Sequence, residues 1–215
     1  TNLIIAESVR RYPTFAFTEN DLFIENGIVK AKAKQVFINE SNNNESKDDN
    51  IFASEEFKIF ELENNCLITI RLNPPFDSRY LTAMYILDNI SGNSYVTNSA
   101  KGIINMPEKF IPKSLQKFTP PTLISKNLDS IKDFWAEHKD IIIKPLYDFG
   151  GNGVFRLQEN DSDKELIGVL EKSKEQFIAQ KYIPEIVTGD KRIVLIDGEI
   201  FFQFLRVPPE GQLQA

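Results

Sequence analysis

Lys144 directly follows three isoleucines at 141–143, which places an ammonium at the end of what should be a buried strand. An unpaired charge in that position is costly, so its partner is expected to be an anion. Close behind it stand Gly150, Gly151 and Gly153, whose backbone amides can approach a polyanion with no side chains in the way. Val154 and Phe155 follow as strand residues, not as the start of a helix. That excludes the dinucleotide fingerprint and the Walker loop, both of which open a helix. What remains is a strand, a glycine hairpin and a second strand, a device that can fold over nucleotide phosphates. An ordinary tight turn is the plainer alternative.

A second stretch, AQKYIPEIVTGDKRIVLIDGE at 179–199, has a strand that Pro184 stops and a return strand after Gly189. A purine could lie against the strand end, bonded to backbone groups around Lys181, Tyr182 and Ile183, with Tyr182 or Ile183 as its apolar wall. Asp190 would then offer an acceptor for a ribose hydroxyl, and Lys191 and Arg192 would offer cations for phosphate. A charged β-turn explains the same residues without a ligand. Lys109 and Arg206 are further lone cations beside apolar neighbours, each compatible with simple snorkelling. Their weight lies in convergence with Lys144 and Arg192, because several cations and a glycine flap around one cleft are what a triphosphate needs. In RLNPPFD at 71–77, Arg71 can pair bidentately with a carboxylate, while Asp77 reads as a helix cap. His138 is expected to face solvent near a helix end, and Cys66 to be an inert core residue.

These residues need elements to hold them. The pattern predicts a helix over 2–11 and strands over 14–17 and 27–37, with Asn26-Gly27 as a turn. Residues 39–50 read as a solvated loop without periodicity. A strand over 67–70, a helix over 78–90 and a strand over 94–97 then alternate, the sign of a parallel sheet. Past residue 105 come a short helical piece from Pro107 and an edge strand over 122–124. Helices follow over 129–138 and 164–172, with strands over 140–144, 154–157 and 176–183. Strands over 192–196 and 199–206 flank Asp197-Gly198, a hairpin signal. The fold class expected is α/β: a parallel-sheet domain over 1–105, then a domain over 106–215 built on antiparallel sheets. An α/β chain that opens on a helix suggests a first strand upstream of Thr1.

The chain has 215 residues, 41% hydrophobic and 26% charged, which suits globular folding and excludes disordered or coiled-coil classes. Its net charge of −6 comes from one segment, since the acids between Glu40 and Glu63 leave 23 acids and 23 bases elsewhere. No basic stripe marks a nucleic-acid partner. No apolar run approaches the roughly 18 residues of a membrane span, so no membrane partner is expected. One cysteine and one histidine exclude disulfide frameworks and thiolate or multi-histidine metal sites. The expectation is a cytoplasmic protein.

The order RLNPPFD, NMPEKF, PPTLIS, DIIIKPLYDFGGNGVFRL, AQKYIPEIVTGDKRI and LRVPPEG resembles the prokaryotic-type glutathione synthetases of the ATP-grasp superfamily. The KPL…GG…GVF and YIPE…GDKR pairs are general to that superfamily, whereas RLNPPFD and NMPEKF point to the glutathione synthetases. The resemblance implies an ATP-dependent ligase that joins γ-glutamylcysteine and glycine through an acylphosphate, with Mg2+ or Mn2+ on the nucleotide. It places Lys109 and Lys144 on the nucleotide phosphates, Gly150, Gly151 and Gly153 on the closing loop, and Gln180, Lys181, Tyr182 and Ile183 on the adenine-holding strand. It puts Asp190 on the ribose, Arg192 and Arg206 near the phosphates and acylphosphate as the catalytic arginines, and Arg71 by the peptide substrate. It further implies a homo-oligomer. The family's metal ligands and second glycine-rich loop would fall after Ala215, so this piece alone is expected to be inactive. Another ATP-grasp carboxylate–amine ligase, or a non-catalytic ATP-binding module, are the rival readings.

Overall fold

The computed structural model describes residues 2–38, 51–148 and 153–209, and the chain divides into two compact units, Thr1–Glu108 and Lys109–Ala215. The loop expected over 39–50 lies outside the described residues. No helix among the described residues is long and apolar enough to cross a membrane.

The first unit opens with helix α1 (Asn2–Arg11) and an antiparallel sheet. Its central strand is β3 (Ile28–Ile38), in which Val29, Ala31 and Ala33 are buried while Lys30, Lys32 and Lys34 alternate outward. Strands β1 (Thr14–Ala16) and β2 (Leu22–Glu25) pair along one edge of β3, in registers Phe15↔Gln35 and Leu22↔Ala31. Asn26 and Gly27, both at positive φ, close the β2–β3 hairpin as their types predict. On the other edge lies β4 (Ile51–Glu61), where the sequence pattern shows no element. Its acids Glu55, Glu56 and Glu61 therefore sit on a strand. Most of β4 is exposed, so its polar content is that of an outer strand.

Beyond β4, strand β5 (Leu67–Thr69), helix α2 (Ser78–Asp88) and strand β6 (Tyr95–Thr97) form a parallel βαβ crossover in register Leu67↔Tyr95. Among the described residues, parallel pairing is confined to this pair. The larger sheet is antiparallel because its β2–β3 link is a tight turn, which only antiparallel neighbours can use. Tyr80, Ala83, Met84 and Leu87 form the buried stripe of α2 and pack with Ile68, Ile70 and Val29. Asp77 caps α2, its Oδ1 accepting from the Tyr80 amide at 2.9 Å. Helix α3 (Ala100–Asn105) corrects the helical piece expected from Pro107: the helix lies before that proline, which disfavours helical geometry in the residue preceding it.

The second unit is built on an antiparallel sheet in the order β7, β10, β8, β9: β7 (Thr122–Ser125), β8 (Ile141–Pro145), β9 (Phe155–Leu157) and β10 (Phe177–Lys181). Ile141, Ile143, Leu157, Phe177 and Ala179 point to one face, where Ile131 of α4 (Leu128–His138) and Leu166 and Leu170 of α5 (Lys164–Lys172) close the core. The period of two then sends Ile142, Lys144, Arg156 and Gln180 to the opposite face. His138 departs from the solvent-facing expectation: its ring meets Phe134 edge-on at 4.4 Å. Strands β11 (Asp190–Ile196) and β12 (Glu199–Arg206) form a hairpin turned at Asp197-Gly198, again at positive φ.

Candidate active site

Lys144 stands on the open face of the sheet, half-buried, one strand from Gln180. Its Nζ donates to Gln180 Oε1 at 2.9 Å. Gln180 Nε2 in turn donates to Thr122 Oγ1 at 2.8 Å, and Thr122 Oγ1 to the Pro120 carbonyl at 2.8 Å. A chain of hydrogen bonds therefore fixes the ammonium without neutralising it. Burial, and after it the nearby Lys109 ammonium, lower the Lys144 pKa from its ordinary 10.5. Lys109 Nζ donates to the Pro145 carbonyl at 2.8 Å and to the Asp148 carbonyl. Two like charges thus converge at the end of β8, an arrangement that favours an anion between them.

Gly153 arrives at the same place. Its φ is +68°, and a Cβ there would lie 2.9 Å from Pro145 Cγ. The glycine lets the turn press against the proline that Lys109 holds from its carbonyl side. Gly150 and Gly151 lie outside the described residues. Lys109, distant in sequence, and Gly153 are thus both brought to Pro145, the residue that follows Lys144.

At the far end of β10, Lys181 donates its amide to the Pro121 carbonyl at 3.0 Å and Tyr182 its amide to the Asp140 carbonyl at 2.9 Å. The Tyr182 ring is only 9% exposed, with the Arg156 guanidinium 3.6 Å from its centroid. Ile183 is 47% exposed, so it, not Tyr182, presents an apolar surface at this strand end. Arg156 and Asp140 escape a reading by motif. The signal for Arg156 is its place in the alternation of β9, on the Lys144 face and opposite Ile142.

Asp190 and Arg206 are register partners across the hairpin and form a two-pronged ion pair, with Arg206 Nε to Asp190 Oδ1 at 2.9 Å and a second bond from its terminal nitrogen to Oδ2. Arg206 holds the Asp190 pKa below its ordinary 3.8, with Arg192 adding a smaller pull. Arg192 is exposed, opposite Phe204. The residues assigned to ribose and acylphosphate are thus a second group, joined to one another. Arg71 belongs to the first unit, exposed in the loop after β5. Among the described residues no group of three or more His, Cys, Asp or Glu side chains is placed to hold a metal ion.

The open-faced antiparallel sheet with a lysine pair and a glycine turn at one strand end is that of an ATP-grasp domain, the fold of carboxylate–amine ligases. The family described as the ATP-grasp domain of prokaryotic glutathione synthetase matches residues 108–215, and that described as its N-terminal domain matches residues 1–103. The chain belongs to the prokaryotic glutathione synthetase family. It is 31% identical to the glutathione synthetase of Pseudomonas aeruginosa over 99% of this chain and 67% of that one. With the glutathione synthetase of Brucella melitensis it shares 36% identity over 96% of this chain and 65% of the relative. It therefore spans about two thirds of the length of these relatives. Among solved structures, D-alanyl-alanine synthetase A from Vibrio cholerae matches the whole chain and 65% of its own with a TM-score of 0.56 at 10% identity, a likeness of fold.

Proposed function

We propose that the chain is the nucleotide-holding part of an ATP-dependent ligase that joins γ-glutamylcysteine and glycine to give glutathione, ADP and phosphate. The observation that carries the reading is the approach of Lys109 and Gly153 to Pro145, the residue that follows Lys144. Two ammonium groups set near one another are suited to the oxygens of a polyphosphate, and Gly153 stands against the Pro145 ring beside them. Gly150 and Gly151 are proposed for the same phosphates. The adenine would lie at the end of β10 against Ile183. Gln180 serves that site indirectly, by holding Lys144. Asp190 is proposed for the ribose, Arg192 and Arg206 for the acylphosphate, and Arg71 for the dipeptide carboxylate.

The terminal phosphoryl group of ATP passes to the C-terminal carboxylate of the dipeptide, and the O–P bond of ATP breaks to release ADP. The glycine amine attacks the acyl carbon, loses a proton and expels phosphate. No side-chain nucleophile is required. Lys109 and Lys144 would neutralise the phosphoryl oxygens as charge develops on the leaving ADP. Holding carboxylate, phosphoryl group and amine in line supplies the rest of the barrier reduction.

Comparing ADP release by the full-length protein with γ-glutamylcysteine plus glycine, with glutamate and with D-alanine tests the reading. Turnover confined to the first pair, with glutathione as product, is the expected result. Turnover with D-alanine or glutamate instead would assign another ligase, and ATP binding without turnover on any carboxylate would favour a binding module.

A further inference from the structure

We infer that Arg156, held by Asp140, is a positioning residue that sets the base-recognising end of β10 by clamping Tyr182. The inference rests on the nucleotide reading above and adds a residue to it.

Arg156 donates to Asp140 with both prongs of its guanidinium, Nε to Oδ1 at 2.8 Å and a terminal nitrogen to Oδ2 at 2.6 Å. The Cζ of the same guanidinium lies over the Tyr182 ring, 3.6 Å from its centre. The main chain of Asp140 completes the circuit, since its carbonyl accepts from the Tyr182 amide at 2.9 Å. One residue, Asp140, thus grips Tyr182 twice, directly through its carbonyl and indirectly through the arginine that its carboxylate aligns. Only a planar, forked cation can satisfy a carboxylate edge-on and an aromatic ring face-on at once, so lysine is no substitute.

The clamp sits where the strand must stop in a defined direction. Tyr182 is the residue after β10, Ile183 follows it, and Pro184 begins a tight helical turn. Among the described residues the Ile183 amide donates to no protein acceptor, while the amides of Lys181 and Tyr182 are engaged. Fixing Tyr182 therefore aims the one open donor and the exposed Ile183 side chain that a purine would meet. The phosphate end is anchored by other means, through Pro145, Asp148 and Gln180. Loosening the clamp should weaken base recognition and spare phosphate recognition.

The test is calorimetric titration of the 215-residue chain with ADP and with inorganic tripolyphosphate, in the wild type and in Arg156→Gln, Arg156→Lys, Asp140→Asn and Tyr182→Phe. ADP affinity should fall about tenfold in the first three, with tripolyphosphate affinity unchanged, the order expected from losing one charge-assisted stacked contact. Tyr182→Phe, which keeps the ring that the guanidinium covers, should lose less ADP affinity than any of the first three. If Arg156→Gln does not fold, Arg156→Lys carries the same comparison with the charge retained. Equal losses for both ligands, or no loss for ADP in a folded variant, overturn the clamp alone. A wild-type chain that binds neither ligand overturns the nucleotide reading and the clamp with it.

Discussion

Lys144 concentrates the energetics of the candidate site in one side chain. Its ammonium is half-buried, bonded to a neutral amide and set near a second ammonium, so the free protein bears an electrostatic cost that an anion would relieve. Lys144→Met should therefore lower ATP affinity by about tenfold or more, on the scale of 1.5–3 kcal/mol for a hydrogen bond to a charged group. It should leave thermal stability without nucleotide unchanged or raised. The pH dependence has a definite sign. Because the folded pKa lies below 10.5, the unfolded chain holds this proton more tightly, and stability gains from Lys144 as pH climbs from the lowered value toward 10.5. Urea denaturation at several alkaline pH values should show that gain in the wild type and not in Lys144→Met. A variant that binds ATP like the wild type would remove the lysine from the site.

Among the elements, two local devices carry measurable stability. Asp77 caps α2 through the Tyr80 amide, so Asp77→Ala should cost about 1 kcal/mol in urea denaturation, the usual value of a cap. Gly189 precedes β11 at φ +110°, and a Cβ there would stand 2.5 Å from the Arg206 carbonyl oxygen. Gly189→Ala should force the strands apart at their open end, where Asp190 grips Arg206, at a cost of about 1–3 kcal/mol. Amide exchange along β11 and β12 reads this directly. Unchanged protection would mean that the backbone absorbs the clash without opening the hairpin. The hairpin also exposes apolar side chains on both strands, among them Ile200, Phe201 and Leu205.

At the level of the whole molecule, each unit has its own buried cluster, around Met84 in the first and Ile131, Ile141 and Ile143 in the second. Ile131 is fully buried beneath the sheet whose far face carries Lys144. Ile131→Ala should destabilise the second unit by about 2–5 kcal/mol, the range for a core truncation. ATP affinity should persist at temperatures where the variant remains folded. Binding lost in a still-folded variant would show that the core sets the site geometry and not only its stability.

The residue pattern alone determined what depends on neighbours in the chain. Alternation put Val29 and Ala31 inward and Lys30 and Lys32 outward, Asn26-Gly27 and Asp197-Gly198 made their turns, and Asp77 found its cap. The motif order also carried the family, because ligand-binding loops keep their residue types close together. Strand β4 was illegible: an outer strand with little to bury shows no hydrophobic period. What only the tertiary structure decided is which distant groups satisfy one another. Lys109 bonds the Pro145 carbonyl and Lys144 bonds Gln180, while Arg206 spends its fork on Asp190 and Arg156 covers Tyr182. Spacing tells which face a side chain takes, but sheet register and the penalty on unpaired buried charge choose its partner.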